Sequence, residues 1–518
     1  MTRRPSPRRS RSLLVTAVAV VFALAAPALP AVSAADESSS PTIAAEEYAA
    51  RRARVAEAVG ADGMLVLLSA PERPRNGDVV WPFRQDDDLL YLTGVAEPET
   101  ALVLLPGEEE LREVLFALDR DPLAELWTGP IPSHEELAAA SGVEQVESAA
   151  GWRSLVTAAL NGEKWGESDL YGYYRPPAAP RFHEAVVAGR AEVWLDLGLR
   201  WGLGGGGDPG PALELAREIR ETWPEVAIRN ATPLLESFRE VKSPAELELI
   251  GRAIAITEEA IRAGMRRALS AETENQLRAT IEFTFADLGA CCWGFPSIVA
   301  AGPNATVLHY EAGSDPVPRD GLALFDVGAE VEGYTADVTR TFPSDGTFSP
   351  EQRAVYQAVL DASDAGIADM RAGTSFADLN VRTLERIGAA LVELGLATEN
   401  VAEQAELYLP HGVGHPLGLQ VHDVFDRTRK LEPGMVWTIE PGIYVRPDDV
   451  RASEVWEELS AEERERVDAA LERYAGIGVR IEDDVLITEG APRILSDGTP
   501  RTVEEIERFM AAQTRPGG

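Results

Sequence analysis

Two aspartates, Asp326 and Asp337, stand where their chemistry and spacing favour a metal site. The surrounding pattern predicts two short strands, Leu322–Gly328 and Tyr334–Phe342, joined by a polar turn. A turn centred directly after Val331 pairs position 326 with position 337 and sets both carboxylates on one face, with Cβ atoms about 5 Å apart. Like charges so placed are destabilising unless a cation lies between them, which favours a divalent metal with hard oxygen ligands. For this stretch alone, a solvated hairpin with scattered acids is the alternative.

Histidine is rare in this chain and clusters in one short segment. Of six histidines, three lie within twelve residues: His411, His415 and His422. The neighbouring glycines and Pro416 exclude a regular helix, so a loop or a bent strand is predicted. Imidazole is a common metal ligand and general acid–base group, and the cluster therefore indicates a functional site. For any one of these side chains taken singly, a buried structural histidine is the alternative.

Two glutamates complete the set of candidate ligands. Strand alternation puts Thr438 and Glu440 on one face of a predicted strand, and Arg480 and Glu482 on one face of another, Gly478–Thr488. A lone carboxylate in such an apolar run would be costly to bury. The second half of the chain thus offers four carboxylates and at least one histidine, a set that suits two neighbouring divalent ions.

Composition and charge limit the classes of function. With 518 residues, 45% of them hydrophobic and 26% charged, the chain has the size and balance of a soluble protein with two or more domains. The net charge of −37 argues against nucleic acid as a partner, because phosphate binding needs a basic surface. The two cysteines, Cys291 and Cys292, are adjacent and cannot cross-link distant parts of a fold, so no disulfide framework is expected.

The first 34 residues have the pattern of an export signal. Five arginines precede a largely apolar run from Leu13 to Ala26, and Val32–Ala34 supplies a small-residue cleavage site. The run is shorter than the roughly 20 residues that span a bilayer, so we expect no stable membrane insertion after cleavage. The predicted location is periplasmic, cell-surface or extracellular, and the pair Arg8-Arg9 leaves both the general and the twin-arginine route open.

A domain boundary is predicted near residue 240. Ser243, Pro244 and Glu246 have the pattern of a capping box at the start of a helix that extends to about Ala268. Residues 43–235 mix strands and helices and predict an α/β domain, and residues 240–512 hold the candidate ligands. The predicted strands of the first domain are Met64–Leu68, Leu89–Leu92, Ala101–Leu105, Val114–Leu118 and Val193–Leu197.

Two further segments have distinctive sequences, and one of them matches a motif of another class of protein. The run Gly202–Gly207 satisfies the nucleotide-binding pattern G-x-G-x-x-G. Pro209 and Pro211 interrupt the tight strand-to-helix turn that this motif requires, so a flexible loop is predicted instead. The segment Glu454–Tyr474 is predicted to be a charged helical insertion.

The candidate ligands resemble those of a known superfamily. In order and spacing they match the pita-bread metallopeptidases, which include methionine aminopeptidase, prolidase and aminopeptidase P: Asp326, Asp337, one histidine of the cluster, Glu440 and Glu482. Nearby motifs are similar to the Xaa-Pro aminopeptidase branch: Ser297-Ile298-Val299, His309-Tyr310, Asp337 to Phe342, His415 to Gly418, Glu440-Pro441-Gly442, Phe83 to Gly94 and Trp127-Thr128-Gly129. The resemblance implies an α/β (α+β) fold, with an amino-terminal α/β domain followed by a pita-bread catalytic domain.

The resemblance also implies roles for individual residues. Asp326 would chelate one metal, Asp337 and Glu482 would bridge two, and His415 and Glu440 would hold the other. Manganese is the expected metal, with cobalt and zinc left open. Substrate-binding and proton-handling positions would be His309, His411, His422 and Arg480, with Glu440 carrying a proton to the leaving nitrogen and His422 stabilising the oxyanion.

The function implied is an exported dinuclear-metal aminopeptidase that cleaves between an amino-terminal residue and a following proline. Its partners would be peptides with proline at the second position. A prolidase restricted to Xaa-Pro dipeptides and a non-catalytic binding module are the alternatives. Phe295, Leu90 and the length of residues 452–474 depart from some relatives, which leaves fine specificity and a homo-oligomer open.

The export signal makes a direct prediction. Protein recovered outside the cytoplasm should lack residues 1–34 and begin at or near Ala35, because a signal peptidase cleaves after small residues. Amino-terminal sequencing of exported material checks this, and a sequence beginning at Met1 would contradict it.

Overall fold

The computed structural model describes residues 42–166, 177–198, 210–399 and 401–513. The predicted signal peptide, residues 1–34, and the run Gly202–Gly207 lie outside these residues, so both remain predictions. Within the described ranges, no helix is long and apolar enough to cross a membrane.

The first half is built on one mixed sheet. The strands of this half, including a separate exposed hairpin (β2 and β3), are β1 (Gly63–Leu68), β2 (Pro74–Asn76), β3 (Val79–Val80), β4 (Ala101–Leu104), β5 (Glu113–Ala117), β6 (Val146–Ser148), β7 (Glu192–Leu195) and β8 (Ala227–Asn230). The order in the sheet is β6-β5-β4-β1-β7-β8, with β1 parallel to β7 and antiparallel to β4. Alternate residues of β1 enter different cores, because Leu65 and Leu67 pack on one face and Met64 and Val66 on the other.

Helices cover both faces of this sheet. They are α1 (Ala45–Val59), α2 (Asp87–Thr93), α3 (Pro122–Thr128), α4 (His134–Ser141), α5 (Trp152–Asn161), α6 (Pro180–Val187), α7 (Gly210–Thr222) and α8 (Thr232–Arg239). Leu155, Phe182 and Leu215 of α5, α6 and α7 fill one core. The other core also contains residues of the second half, such as Val299, and the division into domains 43–235 and 240–512 stays a prediction.

The second half consists of several small sheets surrounded by long helices. Its strands are β9 (Cys292–Trp293), β10 (Ile298–Ala301), β11 (Leu322–Val327), β12 (Ala329–Val331), β13 (Tyr334–Thr335), β14 (Val338–Pro343), β15 (Val436–Ile439), β16 (Gly442–Tyr444), β17 (Gly478–Arg480), β18 (Asp483–Leu486) and β19 (Arg493–Ile494). The sheet orders are β10-β11-β14, β13-β12-β9, β15-β18-β19 and β16-β17.

The helices of the second half are α9 (Pro244–Ala268), α10 (Glu274–Asp287), α11 (Pro350–Asp369), α12 (Phe376–Leu394), α13 (Ala402–Ala405), α14 (Pro447–Arg451), α15 (Glu454–Glu458), α16 (Ala461–Tyr474) and α17 (Val503–Gln513). The capping box at Ser243 and Glu246 is confirmed, and α9 ends at Ala268 as expected. The insertion Glu454–Tyr474 is helical, but it is divided in two because Ser460 starts a new capping box.

The register of the central hairpin differs from the prediction. Val331 pairs with Tyr334, so the turn is Glu332-Gly333, and both of these residues have positive φ (50° and 82°). Asp326 consequently lies opposite Thr339 rather than Asp337. The shift is two residues, which keeps every side chain on its predicted face.

The segment Leu89–Leu92 is helical, so its prediction as a strand is wrong. The Asp86 carboxylate accepts hydrogen bonds from the backbone N–H groups of Asp88 and Leu89, which caps α2, and Gly94 ends the helix in the left-handed conformation. Short apolar runs fit either element, and here the local caps decide.

The predicted strand Gly478–Thr488 is interrupted after Arg480. The N–H of Ile481 donates to Pro441 O, and that of Glu482 donates to Thr339 O. The chain therefore leaves its partner β16, crosses towards the central hairpin and resumes pairing as β18 with β15. This crossing carries Glu482 beside the two aspartates.

Candidate metal centre

A single cavity of about 980 Å³ collects the candidate residues of the second half. Its lining includes every side chain that the sequence singled out for chemistry: His309, Asp326, Asp337, His411, His415, His422, Glu440, Arg480 and Glu482. These residues come from separate strands and loops. Their convergence on one cavity is the main structural result for function.

The two aspartates enter the cavity from adjacent strands. Asp326 lies in β11, and Asp337 immediately precedes β14. They are diagonal neighbours on one face, since Asp326 is opposite Thr339, two residues beyond Asp337. Both are almost fully buried, with 7% and 4% of their surface exposed.

The histidine segment lies against β15 and brings His415 to the aspartates. The N–H of His415 donates to Thr438 Oγ1 at 3.1 Å, and the N–H of Glu440 donates to Val413 O at 2.8 Å. A Cβ on Gly414 would lie 2.2 Å from Thr438 O, so glycine is required for this close approach. The glycines that excluded a helix thus have a packing role.

His415 Nε2 is the point on which the carboxylates converge. It lies 3.3 Å from Asp337 Oδ2, 3.8 Å from Glu440 Oε1 and 3.8 Å from Glu482 Oε1. Single ligand atoms of Asp337, His415 and Glu482 all lie within 4.8 Å of one another. One imidazole nitrogen among hard carboxylate oxygens is a donor set that divalent metals such as manganese accept.

The carboxylates have more acceptor capacity than the protein satisfies. Among the residues that the structure describes, Asp326 Oδ1, Asp337 Oδ1 and Glu482 Oε1 are buried without a hydrogen-bond donor. Buried polar atoms are normally paired, so these oxygens are suited to bind a cation. The residues present therefore fit divalent metal ions.

Electrostatics gives the same result. Burial, and then the charge of Asp326, raises the pKa of Asp337 well above its usual range. Burial, and then the charge of Asp337, does the same to the pKa of Glu482, while burial raises the pKa of Glu440 to about 7. Such carboxylates are costly to keep ionised together unless positive charge balances them.

Asp326 faces the cavity and also pairs with an arginine. Arg480 Nη2 donates to Asp326 Oδ2, and Arg480 Nη1 donates to the Tyr444 hydroxyl at 2.8 Å. Arg480 Nε also donates to Thr339 Oγ1 at 3.2 Å, and the Thr339 hydroxyl donates to Glu482 Oε2 at 2.7 Å. Arg480 therefore connects Asp326 to Glu482 through Thr339.

Tyr444 and Thr339 were missed by the sequence analysis. Tyr444 OH lies 2.9 Å from His411 Nε2 and fixes that ring. The sequence did contain a signal for Tyr444. It lies four residues after Glu440, and an even spacing places two side chains on one face of an extended chain. Thr339 was quoted within a motif but given no role, because an uncharged hydroxyl carries no signal of its own in a single sequence.

Two of the histidines are held in the neutral form. Burial, followed by the charge of Arg480, lowers the pKa of His411 to about 4. Burial, followed by His415, lowers the pKa of His422 to about 4. The His415 and His422 rings lie 4.1 Å apart between centroids, so His422 is next to the converging carboxylates.

The first half of the chain and the segment directly after α8 hold the far end of the histidine segment. Arg84 Nη2 donates to Leu419 O at 2.5 Å. Arg239 Nη2 and Lys242 Nζ donate to the two carboxylate oxygens of Asp423 at 2.7 and 2.9 Å. Asp423 directly follows His422, so this buried pairing fixes the backbone that carries the imidazole.

Comparisons with known proteins identify the family of this chain. The model of metallopeptidase family M24 matches residues 248–489, and that of the aminopeptidase P N-terminal domain matches residues 48–166. The Xaa-Pro aminopeptidase of Haemophilus influenzae is 33% identical over 90% of this chain and 97% of its own length. The Xaa-Pro aminopeptidase of Escherichia coli is 32% identical over 91% and 98%. The chain belongs to the aminopeptidase P family.

Solved structures of aminopeptidase P have the same fold. Pseudomonas aeruginosa aminopeptidase PepP matches with a TM-score of 0.76 and 32% identity, over 92% of this chain and 99% of that one. Escherichia coli aminopeptidase P with the inhibitor Pro-Leu matches with a TM-score of 0.73 and 30% identity, over 91% and 99%. The predicted α/β fold, with an aminopeptidase P amino-terminal domain and a pita-bread catalytic domain, is confirmed.

This member of the aminopeptidase P family is a metallo-aminopeptidase. Membership of family M24 implies divalent metal ions, in agreement with the unpartnered carboxylate oxygens. The resemblance inferred from the ligand pattern is therefore confirmed.

The excess of buried negative charge makes a prediction about stability. Glu482→Gln should raise the free energy of unfolding of metal-free protein, on the order of 1 kcal/mol, because one repelling charge is removed. The same variant should gain much less stability from added manganese, whereas the unchanged protein gains about 2.7 kcal/mol at 100 times its dissociation constant. Urea unfolding with and without metal measures both effects.

A matched control is Glu465→Gln, because Glu465 is exposed on α16. This change should alter the free energy of unfolding by no more than about 0.5 kcal/mol and leave the gain from manganese intact. A Glu482→Gln protein that is less stable without metal, or equally stabilised by manganese, would contradict the charge argument.

Proposed function

We propose that the protein is an exported Xaa-Pro aminopeptidase with two metal ions, which cleaves the bond between an amino-terminal residue and a following proline. The observation that carries the proposal is the convergence of His415 and four carboxylates on one open cavity. It is supported by relatives named Xaa-Pro aminopeptidases at about a third identity over nearly the whole chain.

Five side chains would hold the metals: Asp326, Asp337, His415, Glu440 and Glu482. We propose manganese for both positions, because the set is dominated by hard oxygen donors. When bound, two such ions supply Lewis acidity towards a carbonyl and lower the pKa of a shared water. The remaining chemistry depends on side chains around them.

Proton transfer is assigned to Glu440 and His411. Glu440 Oε2 lies 3.6 Å from His411 Nδ1, and the other His411 nitrogen is fixed by Tyr444. Proline leaves as a secondary amine, so its nitrogen must receive a proton as the bond breaks. Glu440 Oε2 can accept the proton of the attacking water and deliver it to that nitrogen, with His411 or His309 assisting.

His422 is assigned to the oxyanion. Its neutral imidazole can donate one N–H hydrogen bond from beside His415 to the oxygen that becomes negative in the transition state. Because this ring is held next to the carboxylates rather than among them, it is not counted among the ligands.

The cavity wall suits recognition of a proline ring by shape. An Xaa-Pro bond carries no N–H, so an enzyme cannot identify it by a hydrogen bond from that atom. Apolar and aromatic side chains line the cavity instead: Trp293, Phe295, Leu308, Tyr310 and Val421. A volume of about 980 Å³ is at the upper end of the range of ligand sites, which favours peptides longer than a dipeptide.

Export is supported by the arginine-rich leader, the apolar run and the small residues at Val32–Ala34. The site needs no cysteine, so an oxidising compartment would leave its donor atoms unchanged.

Peptide length and sequence test the activity. Manganese-loaded protein should convert Ala-Pro-Ala to alanine and Pro-Ala and should leave Ala-Ala-Ala intact, because only the former presents the proline ring. Mass spectrometry of the products measures both reactions. Asp337→Ala should abolish cleavage, and metal analysis of that variant serves as control. Turnover of Ala-Pro with no cleavage of Ala-Pro-Ala would establish a prolidase instead.

Two histidine variants separate metal binding from oxyanion stabilisation. His422→Ala should keep its metal content and lose about 10²–10³ in kcat with a smaller change in KM, since it removes a donor used only in the transition state. His415→Ala should lose metal. Metal analysis and kinetics over a manganese titration distinguish the two, and rescue of His422→Ala by excess manganese would contradict the assignment.

A further inference from the structure

A second group of potential ligands lies outside the catalytic cavity. Cys291 and Cys292 stand at the start of β9, both exposed, with their sulfur atoms 2.8 Å apart. Adjacent residues of a regular strand point to opposite faces. The contact between these two sulfurs therefore shows that the chain departs from a regular strand here and presents both thiols on one side.

Both thiols face one buried carboxylate. Glu330 Oε1 lies 3.7 Å from Cys291 Sγ and 3.6 Å from Cys292 Sγ. Glu330 is only 5% exposed, and its other oxygen accepts a hydrogen bond from Arg84 Nε at 3.1 Å. Arg84 thus orients the carboxylate so that one oxygen points at the sulfur pair.

Backbone pairing holds this arrangement in place. Cys292 is paired with Glu330 across β9 and β12, and the Cys291 N–H donates to Glu330 O at 3.2 Å. All three side chains therefore project from a fixed ladder rather than from a free loop. Single atoms of the three residues lie within 4.8 Å of one another.

We propose that Cys291, Cys292 and Glu330 form a second metal site, which binds one zinc-class divalent ion through two thiolates and one carboxylate oxygen. The charges support a divalent ion: Arg84, which also pairs with Asp87, offsets part of the charge of Glu330, and two thiolates balance a charge of +2. Binding releases one proton from each thiol to solvent. Solvent can occupy a fourth position, because both cysteines are exposed.

The spacing of the two sulfurs must increase when a metal binds. They lie 2.8 Å apart, in hydrogen-bond contact. Zinc–sulfur bonds of about 2.3 Å in tetrahedral geometry put two thiolates nearly 4 Å apart, so the sulfurs must separate by about 1 Å. Rotation of the two exposed side chains provides this change.

The two sites differ in the metals they select. Thiolates prefer zinc and cadmium, whereas the catalytic cavity offers oxygen and imidazole donors that suit manganese. One chain could therefore hold a different metal at each site.

An ion at the cysteine site would restrain one wall of the catalytic cavity. Trp293, next to Cys292, lines that cavity, and Gly294 N donates to Gly328 O directly beyond β11. The ion would join β9 to β12 and, through Glu330 and Arg84, to the first half of the chain. We expect occupancy to order the Trp293 side of the cavity.

Cadmium tests the site because only thiolate ligands give its ultraviolet charge-transfer band, and the described residues that line the catalytic cavity include no cysteine or methionine. Full-length protein, kept reduced by a phosphine, should develop this band with a stoichiometry of one cadmium per chain. Zinc should displace the cadmium, and manganese should not. Absence of the band in reduced protein would overturn the proposal.

Three variants locate the site. Cys291→Ser/Cys292→Ser should lose the band, and Asp337→Ala should keep it, because the latter disrupts only the catalytic cavity. Glu330→Gln should weaken cadmium binding at least about tenfold, because it removes the charge of the one carboxylate that contacts the ion. Cadmium affinity unchanged by Glu330→Gln would show a simple dithiol and overturn the three-ligand site.

Glu330 also pairs with Arg84, so its variant could lose the native fold. Circular dichroism checks whether the fold is kept. Cys292→Ser provides an independent measurement, because Cys292 is exposed and the change replaces only its sulfur by oxygen. It should reduce cadmium affinity at least about tenfold while the fold is kept. An unchanged affinity in Cys292→Ser would also overturn the proposal.

Discussion

Four carboxylates gathered in one cavity, three of them around a single imidazole nitrogen, are the constraint on which this structure depends. Each would be expensive to bury alone, and together they repel. The fold tolerates them because the protein supplies some positive charge and leaves the rest to metal ions. Arg480 takes one oxygen of Asp326, while neighbouring oxygens remain without donors. The protein alone therefore leaves the centre with an excess of negative charge. This excess gives the centre its affinity for divalent ions.

A buried arginine next to the site keeps the repelling carboxylates in position. Arg340 is fully buried and donates to Glu482 O and Asp483 Oδ1 at 2.7 and 2.6 Å. It therefore holds the crossing between β17 and β18, the place where the chain delivers Glu482. Since β18 pairs with β15, the strand that supports the histidine segment, one buried guanidinium couples several parts of the site. Removing one partner of such a pair typically costs 3–5 kcal/mol.

The sequence predicted which residues meet in the cavity better than it predicted the local structure. Asp326 and Asp337 were assigned to one face through a wrong register, and the face was right because the error was two residues and strand alternation has that period. The helix α2 was mistaken for a strand because a short apolar run fits both, although Asp86 and Gly94 supplied capping signals. Tyr444 and Thr339 could not be assigned roles, since their contacts depend on which strands meet. The pairing of Arg84 with Glu330 joins residues 246 positions apart, beyond any local pattern.

The anchoring of the histidine segment by the first half has an evolutionary consequence. Arg84 holds Leu419 O, and Arg239 and Lys242 hold Asp423, so the geometry next to His422 is shared between two parts of the gene. A chimera that joins the first half of one relative to the catalytic half of another would meet foreign partners at these contacts. Asp423 would keep Lys242, which lies on its own side of the predicted boundary, but would depend on the foreign half for the guanidinium of Arg239. The two halves are therefore coupled at the boundary itself, through Arg239, and far from it in sequence, through Arg84.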